Sequence, residues 1–122
     1  QYCFGDDEKK LSEYAWYTVN SENRSHRIGG KKPNSWGIYD MHGNLWEWCS
    51  DWYGENYYKI VSNYVIVKNP RGPESGEYRV LRGGSWGEEA ASCRAAYRYW
   101  FKPVESFDYF GFRCVKSVRK TK

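Results

Sequence analysis

The side chains of this chain that could do chemistry are few and widely spread. Cys3, Cys49, Cys93 and Cys114 are even in number, yet none stand at the close C-x-x-C spacing that holds zinc, and buried thiols and disulfides fit them equally. His26 and His42 are the only histidines. A serine nucleophile needs a histidine and an orienting carboxylate beside it, and neither histidine lies in a recognisable nucleophile motif, so hydrolase chemistry has no support. The dense feature is aromatic: residues 97–110 hold seven aromatics in fourteen positions, interleaved with Lys102, Glu105, Ser106 and Asp108. Tyr and Trp offer large contact area at low entropy cost, while Ser and Asp add adjustable hydrogen bonds, which is the chemistry of a binding loop.

The elements that must position these residues have little material to work with. A chain of 122 residues holds one domain with a modest core, here taken as 1–122 with a basic tail over 116–122. Apolar residues make up only 40% and mean hydropathy is −0.92, so burial falls to seven Trp, twelve Tyr and five Phe. Each buried aromatic covers roughly 150–250 Å², which suits a loop-rich fold. The net charge of +4 is matched by Lys116, Arg119, Lys120 and Lys122 alone. The remainder is near neutral without a basic stripe, so no nucleic-acid partner is expected. No run of 18 apolar residues exists, so this chain is not expected to insert into a membrane. It begins with Gln1 and its one methionine is Met41, so a preceding segment is expected to have been removed; the compartment stays open, with a cell-surface or extracellular setting favoured.

Asp6 and Asp7 can cap a short helix carrying Leu11, Tyr14 and Ala15 on one face, the only regular helix expected. Residues 20–34 read as a polar surface loop. Residues 36–52, with Gly37 and Gly43 as breakers and Leu45, Trp46, Trp48 and Trp52 at the strand-like end, read as core. Residues 53–77 read as a long connection with one short strand at Val65–Val67. Tyr78–Leu81 and Gly111–Val115 read as strands bounded by glycine.

Three blocks carry a family resemblance. Asn34-Ser35-Trp36-Gly37-Ile38-Tyr39-Asp40-Met41-His42-Gly43-Asn44-Leu45-Trp46-Glu47-Trp48 resembles the N-x-x-G-L-Y-D-M-x-G-N-V-W-E-W signature of the formylglycine-generating enzyme, or sulfatase-modifying factor, family. Arg79 to Trp86 (R-V-L-R-G-G-S-W) and Arg94 to Arg98 (R-A-A-Y-R), closed by Gly111-Phe112-Arg113, follow in the family's order. The likeness runs from about Tyr2 to Val115 and implies an α+β, irregular, loop-rich C-type lectin fold, of which this chain resembles the C-terminal half. In that fold the first strand pairs with the last, so an upstream segment of the same protein is an expected partner that would cover an otherwise unpaired edge.

The resemblance also sets what chemistry to expect. The family's enzyme resembles a copper-dependent oxidase in which two cysteines after the R-G-G-S block hold Cu(I), and soft thiolates are what that ion wants. Here Glu88 stands where the first thiolate is expected and only Cys93 remains, so no copper is expected and no catalytic residue is assigned. The sulfoxide synthases that share the fold need three histidines, which two cannot supply. The signature loop resembles a structural calcium site, with Asp40, Gly43, Leu45 and Glu47 at the matching positions; two carboxylates and inward carbonyls on a tight turn suit a hard cation. The alternative for these residues is that Glu47 pairs with an arginine and Asp40 caps a turn. His42 is read as a loop histidine and Cys93 as a packed thiol.

The resemblance places residues 97–110 in loops beside the usual ligand face. The expected ligand-binding set is Gly87, Glu88 and Glu89 together with Tyr97, Tyr99, Trp100, Phe101, Ser106, Phe107, Asp108, Tyr109 and Phe110. Proteins diversified by retroelements resemble this arrangement, with a fixed R-G-G-S-W start, a fixed G-F-R end and variable Tyr, Phe, Ser and Asp between; Trp100, Lys102 and Glu105 fall outside that codon pattern. The function expected is a non-catalytic domain that binds a protein or other macromolecular ligand. The alternatives are a copper-dependent oxidase acting on a protein cysteine and a module of a larger regulatory protein.

Overall fold

In the computed structural model, which describes residues 1–63 and 66–116, the chain opens with the expected capped turn. Asp7 accepts a hydrogen bond from the Lys9 amide at 3.2 Å, starting a 3₁₀ turn at Glu8–Lys10 that runs into helix α1, Leu11–Tyr14. A short side-chain acceptor satisfies a first-turn N–H that has no partner within the helix. Asp6 instead pairs with the terminal amine at 2.5 Å. Leu11 and Ala15 are buried, so the helical spacing places its apolar face inward. A second short helix, α2 (Tyr57–Val61), forms in the stretch read as connection. Ile66 and Val67 are irregular, and the expected strand's remaining residue, Val65, lies outside the described residues, as does the basic tail beyond Lys116.

Strand β1 (Ala15–Trp16) pairs in parallel with β2 (His42–Gly43). The approach is close enough that a Cβ on Gly43, at φ +69, would sit 2.2 Å from the Trp16 carbonyl oxygen. Only glycine meets both demands.

The main sheet has four strands in the order β5-β4-β3-β6: β3 is Trp46–Trp52, β4 is Arg79–Arg82, β5 is Arg98–Phe101 and β6 is Phe110–Gly111. β3 and β5 run antiparallel to β4, and β6 is parallel to β3. β4 falls one residue later than expected. The other expected strand shrinks to Phe110–Gly111, and residues 112–115 leave the sheet exposed. Their apolar run resembles a strand, but the parallel register to β3 covers only Trp46↔Phe110 and Glu47↔Gly111.

Register decides the faces. Trp48, Leu81 and Tyr99 stand opposite one another, as do Glu47, Arg82 and Arg98. Side chains alternate along a strand, so Trp46, Trp48, Tyr99 and Phe101 share one face while Glu47, Arg98 and Trp100 take the other. Leu81 and Trp46 are sealed, at 0% and 1% exposure. A separate apolar cluster of Tyr2, Leu11, Ala15, Tyr17, Ala90 and Cys93 lies under the β1 side, and the Tyr2 hydroxyl donates to the Ala90 carbonyl at 3.1 Å.

Candidate functional site

The first tryptophan face of β3 is the foundation of an aromatic surface. Trp46 forms its floor and lies 5.3 Å from the Tyr99 ring and 5.9 Å from Tyr97. Beyond it, Phe110 meets Trp48, Phe101 and Phe107 edge to face at 5.3 to 5.5 Å. Phe107 stacks on Tyr109 at 5.1 Å, and Tyr109 reaches Trp86 at 6.4 Å. Such contacts each contribute about 0.5–1.5 kcal/mol beyond the area they bury, so the surface is a rigid, mutually braced layer. Backbone bonds hold it to the sheet: the Trp46 amide donates to the Tyr109 carbonyl at 2.8 Å, and Arg82 Nε donates to the Tyr97 carbonyl at 2.9 Å.

Glu88 joins this layer through the Trp46 indole, which donates to its Oε1 at 3.3 Å. Gly87 and Glu89 are exposed beside it, and a Cβ on Gly87 would meet nothing within 4 Å. Ser106 and Asp108 are exposed at the loop tip, and Phe107 is 40% exposed. Of the expected residues, Tyr97, Tyr99, Phe101, Phe107, Tyr109, Phe110 and Glu88 come together around Trp46, whereas Trp100 does not. Trp100 points to the opposite face, where it stacks on Tyr53 at 4.2 Å, because strand alternation separates it from Tyr99 and Phe101. Trp46, Trp48 and Trp86 belong to the layer but were not among the expected ligand residues. The i, i+2 pair Trp46 and Trp48 carries the alternation that would have revealed them.

Asp40, Gly43, Leu45 and Glu47 line one cavity of about 500 Å³. Residues Asp40, Gly43 and Asn44 all have positive φ; the Asn44 carbonyl accepts from the Trp86 amide at 2.8 Å. The Asp40 carboxylate accepts from the Gly29 amide at 2.7 Å. Arg113 enters the same cavity: its Nε and Nη2 donate to the two oxygens of Glu47 at 2.6 and 2.5 Å, and Nη2 also reaches the Asp40 carbonyl at 3.1 Å. The hydrogen bonds that Arg113 donates to Glu47 raise the Arg113 pKa further. The donors are therefore of the hard-oxygen type calcium takes, with the guanidinium as a built-in rival for Glu47. Among the described residues no three acidic, histidine or cysteine side chains cluster as a metal site, so main-chain carbonyls would have to complete the coordination.

Cys93 is fully buried. Burial, with the Glu88 charge adding to it, pushes its thiol up to about 12. A thiol is nucleophilic and metal-binding as its anion, so this one is inert at neutral pH. His42, read as a loop histidine, is instead buried at 3% exposure. Its Nδ1 lies 2.7 Å from the Cys93 carbonyl and its Nε2 accepts from the Cys3 amide at 3.0 Å. The first contact requires the proton on Nδ1, and desolvation lowers the ring's pKa. The expectation failed because the signature's variable position faces solvent only if no amino-terminal turn packs over it; here Tyr2–Gly5 does.

Comparison with known proteins agrees with this architecture. The sulfatase-modifying factor enzyme 1-like domain matches residues 2–118. The serine/threonine-protein kinase pkn1 of Chlamydia pneumoniae is 44% identical over 86 residues, covering 70% of this chain and 14% of the kinase. The formylglycine-generating enzyme of Thermomonospora curvata is 40% identical over 85 residues, covering 67% of this chain and 28% of the enzyme. Among solved structures, Treponema denticola variable protein 1 superposes with a TM-score of 0.74 at 37% identity, covering 88% of this chain and 37% of that one. This chain therefore spans well under half the length of each of these relatives.

Proposed function

Because the chain belongs to the sulfatase-modifying factor enzyme 1-like domain family, we propose that it is a non-catalytic member that binds a protein or other macromolecular ligand through its aromatic face. The observation that carries this reading is the braced layer of Trp46, Tyr97, Tyr99, Phe107, Tyr109 and Phe110, in which Phe107 is exposed and the four residues around it are partly so. Aromatics pinned by their neighbours lose little entropy on binding, so their contact area converts efficiently into affinity. The likeness to a variable protein in fold supports a diversified surface of this kind; an adenine-rich template repeat near the gene would be its genetic trace.

The competing reading is the copper-dependent oxidase, favoured by 40% identity to a formylglycine-generating enzyme. Cu(I) is held by soft ligands, and the two positions in question carry Glu88 and a thiol whose pKa is about 12. Anaerobic cuprous titration is expected to show no tight stoichiometric uptake, and a cysteine peptide in air is expected to cause no oxygen consumption. Tight uptake with thiol turnover would overturn the binding role. In the positive test, Tyr99→Ser with Phe107→Ser abolishes partner capture while near-ultraviolet circular dichroism stays native.

Two supporting roles complete the proposal. Asp40, Gly43, Leu45 and Glu47 hold a structural calcium ion that braces the scaffold. An upstream segment of the same protein covers the apolar side chains left open at Trp36, Phe112 and Val115, which are 84%, 77% and 89% exposed.

A further inference from the structure

The carboxylates at and around the aromatic layer are Glu88, bonded to the Trp46 indole, Asp108, whose charge acts with that of Glu88 on Tyr109, and the exposed Glu89. The basic residues of the same segments are drawn elsewhere. Arg98 lies over the rings of Tyr53 and Tyr58 on the opposite face, at 5.5 and 4.7 Å. Lys102 pairs with Glu77 at 2.9 Å. Arg94 donates to the Ala91 carbonyl at 2.8 Å and lines a cavity with Tyr2, Arg82 and Trp48.

Glu88 is half-buried, and among the described residues no lysine or arginine forms an ion pair with it. Among the described residues its side chain accepts a hydrogen bond from the neutral Trp46 indole at Oε1, and none is formed at Oε2. A carboxylate with no cation beside it in the free protein is open to one supplied by a partner. The rings near it add to the demand, because the face of an aromatic ring is negative and attracts a cation. The Glu88 charge reaches this aromatic shell, since it helps raise the Tyr109 hydroxyl pKa behind burial, Tyr99 and Asp108.

Resting on the binding role proposed above, we infer that this face selects a cationic side chain of its protein partner: an arginine guanidinium seated on the aromatic layer and paired with Glu88. Guanidinium fits better than ammonium in two respects. It is planar and stacks on rings, and it is weakly hydrated, so it gives up water at lower cost on entering a half-buried site. The same group can hold a carboxylate by two hydrogen bonds.

The test uses the full-length protein and three short capped peptides that differ only at the central residue: arginine, lysine or citrulline, the last being shaped like arginine but uncharged. Binding is followed by the indole N–H signals of Trp46 and Trp86 in nuclear magnetic resonance. The arginine peptide is expected to bind about tenfold more tightly than the citrulline peptide, with lysine between them. Glu88→Gln is expected to erase that preference, so that the arginine and citrulline peptides bind alike. Equal shifts from arginine and citrulline would overturn the charge selectivity and leave the binding role standing. The preference surviving in Glu88→Gln would overturn the assignment to Glu88. Silence from all three peptides would overturn the inference, whereas the binding role fails separately, if the Tyr99→Ser with Phe107→Ser variant still captures partner.

Discussion

Gly84 and Cys93 show how tightly single residues are specified where the R-G-G-S block packs on the buried thiol. Gly84 has φ +79, and a Cβ there would come within 2.6 Å of Cys93 Sγ. Gly84→Ala is therefore expected to cost about 3 kcal/mol, from left-handed strain and overpacking together, measured by urea denaturation. Adding Cys93→Ala should recover only the packing share. The thiol itself offers a second check. With its pKa raised from 9.0 to about 12, the native state keeps a proton that the unfolded state loses first. Its contribution to stability is thus complete below pH 9 and is lost as pH rises toward 12. The fall in stability over that window should be shallower in Cys93→Ala. At pH 8, disulfide-exchange reagents are expected to label exposed Cys3 and Cys114 in the native protein and Cys93 only after unfolding.

At the scale of elements, His42 and Arg113 each tie one segment to another. His42 on β2 joins the amino-terminal turn to Cys93, the last residue of a second 3₁₀ turn at Ala90–Cys93. Its pKa is lowered by desolvation, so the unfolded state takes up a proton before the native state does. The stability it contributes is present above its ordinary pKa and declines as pH falls below it. Stability measured from neutral pH to pH 5 should fall less steeply in His42→Gln. Arg113 ties the chain after β6 to the signature loop. In EDTA, Arg113→Met is expected to cost roughly 1–3 kcal/mol, because Glu47 loses its charged partner while remaining half-buried. If calcium fills the cavity, it should raise the melting temperature more in Arg113→Met than in the parent, and Glu47→Gln should abolish the rise. Melting that ignores both calcium and EDTA in all three proteins would remove the calcium assignment.

For the whole molecule, the exposed apolar residues Trp36, Phe112 and Val115 are where the proposed upstream segment would pack. Native mass spectrometry of folded protein is expected to find the upstream segment associated with these residues. A stable folded species consisting of residues 1–122 alone would count against that partner. The coverage of relatives sets the same scale, since the domain matches only 14% of pkn1 and 37% of variable protein 1.

Much of the architecture was legible from local patterns. The Asp7 cap, the buried Leu11 face, the Trp46–Trp52 strand and the two glycines of the R-G-G-S block each express constraints that act within a few residues of themselves. The aromatic segment also announced a surface by its density alone. Other features depended on distant neighbours. Trp100 turned away from its neighbours because register with β4 placed it opposite Val80. His42 was buried because a turn forty residues earlier packs over it.

The amino-acid sequence by itself determined the family, the strand centres, the glycine-dependent turns and the presence of one thiol where two would be needed, since these follow from residue identity and short-range sterics. Only the tertiary structure decided which aromatics share a face, that Glu88 accepts from the Trp46 indole, and that Arg113 is the arginine that pairs with Glu47. Those relations join residues 42 and 66 positions apart, and no spacing rule reaches so far; the pairing of strands and the direction of each side chain from the sheet do.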